Sequence, residues 1–431
     1  MRESSLVRFS GVMGLVCMLL LVDGIPLHAQ RTSEPHPYDS IAANGVTYAG
    51  PGREAAFDLR GGTVRIGIVV PIHGPQKADG EAIIAAAKIA IEDGSRRPLP
   101  GDRRIALAIA DESVPPWGLL GDEIIHLVMQ DNVVAVVTGA DGVAAHLSEQ
   151  IGNKIGVATL TLSGDDTSTE INMPWIFRMG PSDAQQAKAM VRNIYQMHAY
   201  KRVVLVSGQG HNGQIASKKF LEAVDDLGGP APVSATISSL KPDAGALLTM
   251  IRAKAPQAII LWTLPENAKE LIRGIRASGC QAPIYLSQKA AQTSSGVEFS
   301  RRAAGSSHDA SATELYAVNS TQSKSSLRKS FIRRFQVATG RLPSPAAAQA
   351  YDAVRLVIQA IEEAGPNRAR VRDSIAGAKN FAGVSGAITF DNQGNNSTRV
   401  HLVRIQSETT QQAAGAQITQ PNRNVQINMQ E

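Results

Sequence analysis

Three glycines in the stretch GQGHNG, from Gly208 to Gly213, have the spacing of a dinucleotide-binding loop. The stretch follows an apolar run, RVVLVS, and precedes a segment with helical spacing, which is the context in which such a loop holds a pyrophosphate. A dinucleotide site also needs an acidic side chain after the next strand, about 20 residues further on. That strand, VSATIS, is followed by Ser239, Leu240 and Lys241 instead. A nicotinamide-dependent oxidoreductase is therefore a minor alternative.

Polar side chains follow several other apolar runs, where helices are predicted to begin. Asp141, Asp165 and Asp166 occupy such positions and can either cap the following helix or contact a ligand. His73 and His211 lie in separate halves of the chain and could face each other across a cleft, but two histidines are too few to define a metal site. We predict ligand contact or exposure for both, with no bound metal and no cofactor.

Motifs for hydrolytic chemistry are absent from the sequence. The chain has no G-x-S-x-G nucleophile elbow and no H-E-x-x-H pair. We therefore predict no catalytic residues and a protein that is not an enzyme.

The polar residues are positioned by an alternation of strand and helix patterns that begins at Thr63. TVRIGIVVP is a continuous apolar run typical of a strand buried on both faces, and the following GEAIIAAAKIAIEDG has helical spacing. The alternation continues to about residue 162, and a second series begins at Arg202. Such alternation predicts an α/β fold of parallel sheets with helices on both faces, in two doubly wound lobes.

A crossing between the lobes is predicted in PWIFRMGPSDAQQ. The bulky residues before Arg178 suit a strand of the first lobe, and Gly180 and Pro181 follow as a hinge. Ser182 and Gln185 have capping-box spacing for the first helix of the second lobe.

The later part of the chain contains two predicted helices, SSLRKSFIRRFQVATG and AAAQAYDAVRLVIQAIEEAG. GAITFDNQGN and STRVHLVRIQ are predicted to form a hairpin with its turn at Asn392–Gly394. Residues 407–431 are rich in Gln, Asn and Thr and are predicted to be disordered.

The N-terminus has the pattern of a cleaved secretory signal over residues 1–29. Arg2 and Arg8 precede the apolar run VMGLVCMLLLV, and Ala29 is a small residue suited to cleavage. A flexible leader is predicted for residues 30–62. Cleavage leaves Cys280 as a single thiol, and no later run is apolar enough to span a membrane. The mature protein is therefore predicted to be periplasmic or otherwise secreted.

The charge pattern gives no support for nucleic-acid binding. The net charge is +5, charged residues make up 19% of the chain, and no long basic run is interleaved with aromatic residues. A solvated surface accounts for these charges.

Several segments resemble the periplasmic binding proteins of the leucine/isoleucine/valine type, the soluble receptors of ABC importers. IGIVVPIHGP is similar to the family's first strand and loop, and PWIFRMGPSDAQQ to its first hinge crossing. FIRRFQVATGRLPSPAAAQAYDAVRLVIQAIEEAG resembles its late helical pair, and GVSGAITFDNQGN its last crossing. The resemblance implies two Rossmann-like lobes, joined by three crossings, that close on a solute beyond the carboxyl ends of the strands.

The resemblance also implies where the solute is held. LSGDD is similar to the loop that receives the carboxylate of an amino acid, with Asp165 in place of a threonine, and Gln288 or Lys289 replaces the acid that holds the ammonium group. This exchange of charges predicts a neutral or cationic polar solute. The implied ligand-binding residues are His73, Asp79, Asp141, Gly142, Ser163, Gly164, Asp165, His211, Asn212, Thr263 and Gln288.

The predicted organisation follows from the three crossings. The first lobe is expected to comprise residues 63–180 and 316–385, and the second lobe residues 181–315 and 386–406. The predicted function is capture of a small polar solute of the branched-chain amino acid or amide type and its delivery to an ABC transporter permease. A ligand-sensing module for a membrane receptor is the alternative.

Overall fold

The computed structural model describes most of the chain between residues 41 and 405. The described residues are 41–42, 45–46, 48, 50–57, 62–94, 103–171, 173–238, 244–291, 314–320 and 325–405. The predicted signal peptide, most of the predicted leader and the predicted tail lie outside them. No helix of the described part combines the length and apolar character needed to cross a bilayer.

The first sheet has five parallel strands in the order β4-β3-β5-β6-β7. Helices pack on either side and bury β3, β5, β6 and β7 on both faces, as their continuous apolar runs predict. The edge strand β4 is only partly buried. The strands are β3 Thr63–Val70, β4 Arg104–Asp111, β5 Ala135–Thr138, β6 Ala158–Thr161 and β7 Ile176–Arg178. The helices between them are α1 Lys77–Gly94, α2 Gly121–Met129, which follows a π-helical turn at Pro116–Leu120, α3 Gly142–Ile155 and α4 Thr167–Glu170. A short antiparallel pair, β1 Ile41–Ala42 and β2 Gly45–Val46, precedes this sheet.

The second sheet has six strands in the order β15-β12-β11-β10-β8-β9, and β15 is antiparallel to its neighbour. The strands are β8 Val203–Gly208, β9 Val233–Ile237, β10 Ala258–Trp262, β11 Ile284–Leu286, β12 Leu315–Ser320 and β15 Val400–Arg404. The helices are α5 Asp183–Val191, which continues as a π-helical turn at Arg192–Met197, α6 His211–Asp226, α7 Ala244–Lys254 and α8 Pro265–Ala277. The two βα series of the sequence thus form two separate sheets.

The late helices return to the first sheet. They are α9 Ser326–Thr339, α10 Pro345–Ala364 and α11 Arg368–Ala376. The α10 helix packs along α1, and the Phe331 and Tyr351 rings lie 4.6 Å apart in the core of the first lobe. The α9 helix is amphipathic, because Phe331 and Phe335 are buried while Lys329 and Arg333 are exposed to solvent.

Two predicted boundaries between the lobes differ from the structure. Residues 316–320 were expected in the first lobe, but β12 pairs with β11 and β15 in the second sheet. The chain therefore crosses after Ser320. Residues 386–390 were expected in the second lobe, but Ile388 pairs with Phe381, and Ile388 and Phe390 lie in the core of the first lobe. The rest of the predicted division stays a prediction.

The predicted turn at Asn392–Gly394 is present, but the strands on either side of it do not form the predicted hairpin. The N–H of Gly394 donates to the Asp391 carbonyl at 3.1 Å, and the N–H groups of Asp391 and Ser397 donate to the carbonyls of Asn395 and Thr389. The two flanking strands have other partners. β14 Ala387–Ile388 pairs with β13 Phe381–Ala382, and β15 adds five paired residues to the edge of the second sheet. The longer ladder at that edge satisfies more backbone groups than a local hairpin would.

Candidate ligand-binding cleft

A cavity of about 310 Å³ lies between the two lobes, at the carboxyl ends of both parallel sheets. The first lobe contributes the loops after β5 and β6, and the second lobe contributes the loops after β8, β9, β10 and β11. Open α/β sheets bind ligands at this edge, where strands end and helices begin.

Eight of the eleven predicted ligand-binding residues line this cavity. They are Asp141, Ser163, Gly164, Asp165, His211, Asn212, Thr263 and Gln288. Gly142 lies at its edge, where its N–H donates to Oδ1 of Asn212 at 2.8 Å. The loops were placed correctly by the sequence, and the contact of these residues with a ligand remains a prediction.

His73 and Asp79 do not line the cavity. The side chain of His73 is 73% exposed, with its Nδ1 2.7 Å from Oδ2 of Asp111. Asp79 is half-buried on α1, and burial together with the nearby Glu266 carboxylate raises its pKa. His73 and His211 do not face each other across the cleft, because each histidine pairs with a different aspartate, and His73 is exposed, one of the two outcomes predicted for it.

Hydrogen bonds join Asp141 and Gly142 of the first lobe to Asn212 of the second lobe. Oδ1 of Asp141 accepts hydrogen bonds from the N–H groups of Val143 and Ala144. Asp141 therefore caps α3, which is one of the two roles predicted for it. Its Oδ2 accepts from Nδ2 of Asn212 at 2.9 Å, while Oδ1 of Asn212 accepts from Gly142. A Cβ on Gly142 would meet both Asp165 and Asn212, so glycine is what allows the lobes this close approach.

Asp165 lies between two histidines, one from each lobe. Its Oδ2 is 2.6 Å from Nε2 of His211 on α6 and 3.6 Å from Nε2 of His146 on α3. Its Oδ1 accepts from the N–H and the hydroxyl of Thr167 at 3.0 and 2.7 Å. Burial raises the pKa of Asp165, but these interactions with His146, Thr167 and His211 outweigh it and hold the pKa below its usual range. The interaction with Asp165 in turn raises the pKa of His146.

Arg178, the last residue of β7 at the first crossing, holds the loop that follows β6. Its guanidinium is 1% exposed and donates to the carbonyls of Asp165 and Asp166 and to the hydroxyl of Thr169. It thereby fixes the loop that carries Asp165. The Asp166 side chain accepts from the N–H of Ala184, so it binds the first turn of α5 rather than the helix that follows it.

Asp183 begins α5 and lines the cavity with few partners. Its side chain is buried and accepts one hydrogen bond among the described residues, from Nε2 of Gln186 at 3.3 Å. Burial, and to a smaller extent the nearby Asp166 carboxylate, raises the pKa of Asp183 to about 8. Oε1 of Gln186 accepts a hydrogen bond from the N–H of Gln288 at 2.8 Å. Oε1 of Gln288 in turn accepts one from Nε2 of Gln349 on α10 at 3.2 Å.

The second lobe presents positive groups to the cavity. The α6 and α8 helices begin at its wall, and neither N-cap residue, Gly210 or Leu264, makes a side-chain capping bond. Lys289 also lines the cavity and forms no ion pair with any residue that the structure describes. Uncapped helix N-termini and a lysine favour a negatively charged ligand group.

The predicted crossing at Gly180 and Pro181 is buried next to the cavity. Ser182 and Gln185 form the predicted capping box, which confirms the start of α5. Gly180 does not have a positive φ, and a Cβ on it would lie 2.7 Å from Nε2 of Gln349. Close packing against Gln349 therefore accounts for this glycine, and its role as a hinge stays a prediction.

Sequence reasoning missed His146, Asp183 and Gln186. His146 lies one helical turn after Gly142, and residues four apart share a helix face, so its approach to the cleft was open to prediction. Asp183 follows the capping residue Ser182 and lines the cavity. Its direction towards the cavity depends on how α5 leaves the crossing, which local spacing does not indicate.

The comparisons with known proteins agree with this architecture. Residues 63–412 match the sequence profile of the periplasmic binding protein family. The Leu/Ile/Val-binding protein homolog 3 of Brucella melitensis is 22% identical over 338 residues, which cover 77% of this chain and 88% of that protein.

Two solved structures share the fold. The branched-chain amino acid transporter substrate-binding protein of Streptococcus pneumoniae, in complex with isoleucine, has a TM-score of 0.68 and 23% identity, covering 79% of this chain and 96% of its own. An ABC transporter solute-binding protein of Rhodopseudomonas palustris, in complex with 3,4-dihydroxybenzoic acid, has a TM-score of 0.68 and 18% identity, covering 80% and 93%. These relatives are binding proteins rather than enzymes. The chain belongs to the periplasmic binding protein family, with the type I fold and relatives of the branched-chain amino acid type, as its sequence resemblance predicted.

Proposed function

We propose that this protein captures a small organic acid, such as an amino acid, between its lobes and delivers it to an ABC importer from the periplasm. The observation that carries the proposal is the cavity at the carboxyl ends of both sheets, with Lys289 unpaired in its wall. A ligand that bridges the two walls binds best when the lobes are together, which is how capture is coupled to closure.

The charge of Lys289 supports a carboxylate as the bound group. The acidic side chains that interact electrostatically with it include Asp79, Glu112 and Asp183, and burial raises the pKa of all three, to about 8 for Glu112 and Asp183. Glu112 and Asp183 are therefore mostly protonated at neutral pH and leave the charge of Lys289 available to a ligand. A ligand carboxylate would neutralise the Lys289 charge and accept hydrogen bonds from N–H groups in the first turn of α6 or α8.

The position of Asp165 removes the reason for expecting a cationic solute. That expectation assumed a carboxylate open to the ligand. Both oxygens of Asp165 are instead engaged, one by Thr167 and the other by His211. An acid in the cavity would therefore meet a compensated charge rather than an isolated one.

The rest of the solute would be accommodated by apolar surface. Leu162, Ile237, Trp262 and Leu264 line the cavity beside the polar groups. Binding sites of this kind combine apolar walls with a few polar groups that fix orientation. Isoleucine and 3,4-dihydroxybenzoic acid, the ligands of the two structural relatives, each combine a carboxylate with an apolar body.

The binding test compares acids with their neutral amides. The mature protein would be screened by thermal shift and calorimetry against leucine, isoleucine, 3,4-dihydroxybenzoate and leucinamide. An acid at 100 times its Kd should stabilise the native state by about 2.7 kcal/mol and raise Tm by several degrees. Amides that bind as tightly as the acids would contradict a carboxylate site, and no response to any organic acid would contradict the proposed solute class.

A variant of Lys289 locates the carboxylate. Lys289→Met should weaken acid binding by about tenfold or more, since a hydrogen bond to a charged group contributes roughly 1.5–3 kcal/mol. Lys254→Met is the matched control, because Lys254 is exposed at the end of α7. Equal affinity in both variants would show that Lys289 does not hold the ligand.

The periplasmic location is tested separately. We expect the full chain to be found in the periplasmic fraction with a mature N-terminus close to Gln30, because residues 1–29 have the signal-peptide pattern. A cytoplasmic, uncleaved chain would contradict export.

A further inference from the structure

His146, Asp165 and His211 form a cluster whose chemistry goes beyond solute binding. One ligand atom from each residue lies within 4.8 Å of the other two, and this is the one group of three such side chains found among the described residues. Two of the side chains belong to the first lobe and the third begins α6 of the second lobe.

The donor set suits a transition-metal ion. Imidazole nitrogens with one carboxylate are ligands of zinc and similar ions, whereas calcium and magnesium require mostly oxygen. Zinc sites hold their ligand atoms about 2.0–2.2 Å from the ion, which sets tetrahedral ligands roughly 3.3 Å apart. The 2.6 Å and 3.6 Å separations from Oδ2 of Asp165 lie on either side of that spacing. The three ligand atoms all lie within 4.8 Å of one another, so an ion between them would draw the two histidines inwards.

The carboxylate is already held in the orientation that a ligand needs. Thr167 bonds Oδ1 of Asp165 through its N–H and its hydroxyl, which leaves Oδ2 to His211 at 2.6 Å. Nε2 of His146 contacts the Thr167 hydroxyl at 2.8 Å, and a bound ion would replace that contact. Arg178 holds the carbonyl of the same residue at 2.8 Å. Outer contacts that orient a ligand in this way accompany most metal sites.

A second buried acidic side chain, Glu149, lies close to His146 on the same helix. Glu149 is fully buried, and neither of its oxygens has a hydrogen-bond partner among the described residues. An unpaired buried carboxyl is costly unless a neighbouring charge or donor compensates it. A cation at the His146 side of the cleft would supply that compensation.

We propose that His146, Asp165 and His211 bind a divalent transition-metal ion of the zinc class, which links the two lobes across the cleft. Three protein ligands leave one coordination position open. Asp165 and His211 line the cavity, so this position faces the space where a solute would lie. The ion favours the arrangement with the lobes together, because its third ligand comes from the opposite lobe.

The test uses zinc alone, with no solute. Tag-free mature protein would be treated with a chelator, exchanged into clean buffer and titrated with zinc by calorimetry. We expect one zinc ion per chain, and an affinity that falls by about 100-fold in His146→Ala and in His211→Ala, because even outer-shell partners change metal affinity by roughly 10–100-fold. His126→Ala is the control, since His126 is exposed on α2 and only approaches Asp131 at 4.0 Å.

Cobalt provides a second readout that does not depend on affinity. Bound to a four-coordinate site of nitrogen and oxygen ligands, it gives intense visible absorption bands, which we expect for the wild type and for His126→Ala but not for His211→Ala. Circular dichroism would check that each variant is folded, and His211→Gln would replace a variant that is not. Equal zinc affinity in the wild type and in a His146→Ala/His211→Ala double variant would overturn the proposal.

The link between the lobes has its own measurement. Zinc should compact the wild type in small-angle scattering and leave His211→Ala unchanged, because only the second lobe loses its ligand. Zinc binding at the expected stoichiometry without compaction would overturn the bridging role. Either result is independent of whether an organic acid is the solute.

Discussion

Asp165 and Asp183 are two buried aspartates of one cleft with opposite surroundings. Asp165 is 1% exposed and is contacted by Thr167 and His211, whereas Asp183 is 6% exposed and receives one long hydrogen bond, from Gln186. The pKa of Asp165 is held below its usual range, while burial raises that of Asp183 to about 8. The partners of a buried carboxyl, more than its burial, decide whether it is charged at neutral pH.

This difference separates two functions within the cavity. Asp165 is an anion that contacts the two histidines and, as we propose, attracts a metal ion. Asp183 is mostly a neutral carboxyl at neutral pH, able to donate a hydrogen bond as well as accept one. The two residues therefore offer different chemistry to a solute, although they lie only 18 positions apart in the sequence.

The largest expected effect comes from removing the charge of Asp165. Asp165→Asn should lower the free energy of unfolding by about 3 kcal/mol at neutral pH, because it leaves His146 and the Thr167 donors without their anionic partner. Chemical denaturation would measure it, with Asp183→Asn as the matched control. Equal losses in the two variants would show that the difference in partners has no energetic consequence.

Asp183→Asn should instead change how stability depends on pH. The folded pKa of about 8 exceeds the ordinary value of 3.8, so the folded state binds more protons than the unfolded state between these values. Stability from this group is complete below about pH 4 and is lost as pH rises through 8. The loss should be about 2 kcal/mol or more, since each unit of difference corresponds to about 1.4 kcal/mol.

Melting temperatures at pH 5 and pH 9 would measure that effect. The wild type should melt lower at pH 9, and Asp183→Asn should show a smaller difference between the two values. Part of the difference should persist, because burial also raises the pKa of Glu112 to about 8. An unchanged difference in the variant would mean that Asp183 ionises as freely in the folded protein as in the unfolded chain.

The chain of amides beside Asp183 offers a smaller test. Gly180→Val should destabilise the protein by about 1–2 kcal/mol, because the added side chain would displace Gln349 and break its hydrogen bond to Gln288. Gly210→Val is a suitable control, since a Cβ on Gly210 meets no neighbour and that residue is exposed. If both variants melt like the wild type, packing at Gly180 is not tight.

Most of the fold was predictable because it rests on local patterns. Apolar runs such as TVRIGIVV and AIILW are strands, and Ser182 with Gln185 is a capping box in the structure as in the sequence. The predicted division placed β12 in the wrong lobe, and it placed β15 in the right lobe but with the wrong strand partner. Both have ordinary strand patterns, and they pair with each other across about 80 residues, so local spacing could not indicate that pairing.

The site was predictable only as a set of loops. The carboxyl ends of parallel strands lie at one edge of a sheet, which is why most of the predicted residues line the cavity. Charges and pairings were not predictable, because they depend on contacts between lobes. The bonds of Asp165 with His211 and of Asp141 with Asn212 join residues 46 and 71 positions apart.

The smallest effect is expected at a second histidine–aspartate pair, His73 with Asp111. Its separation of 2.7 Å is nearly that of His211 and Asp165, but the side chain of His73 is 73% exposed, against 37% for His211. Solvent screens such a pair, so His73→Ala should change the free energy of unfolding by no more than about 0.5 kcal/mol. It should also leave acid affinity unchanged, because His73 does not line the cavity.

Calorimetry and denaturation of this variant beside His211→Ala would decide whether burial, rather than distance, makes the cleft pair important. A tenfold loss of acid affinity in His73→Ala would instead return His73 to the ligand-binding residues that the sequence predicted.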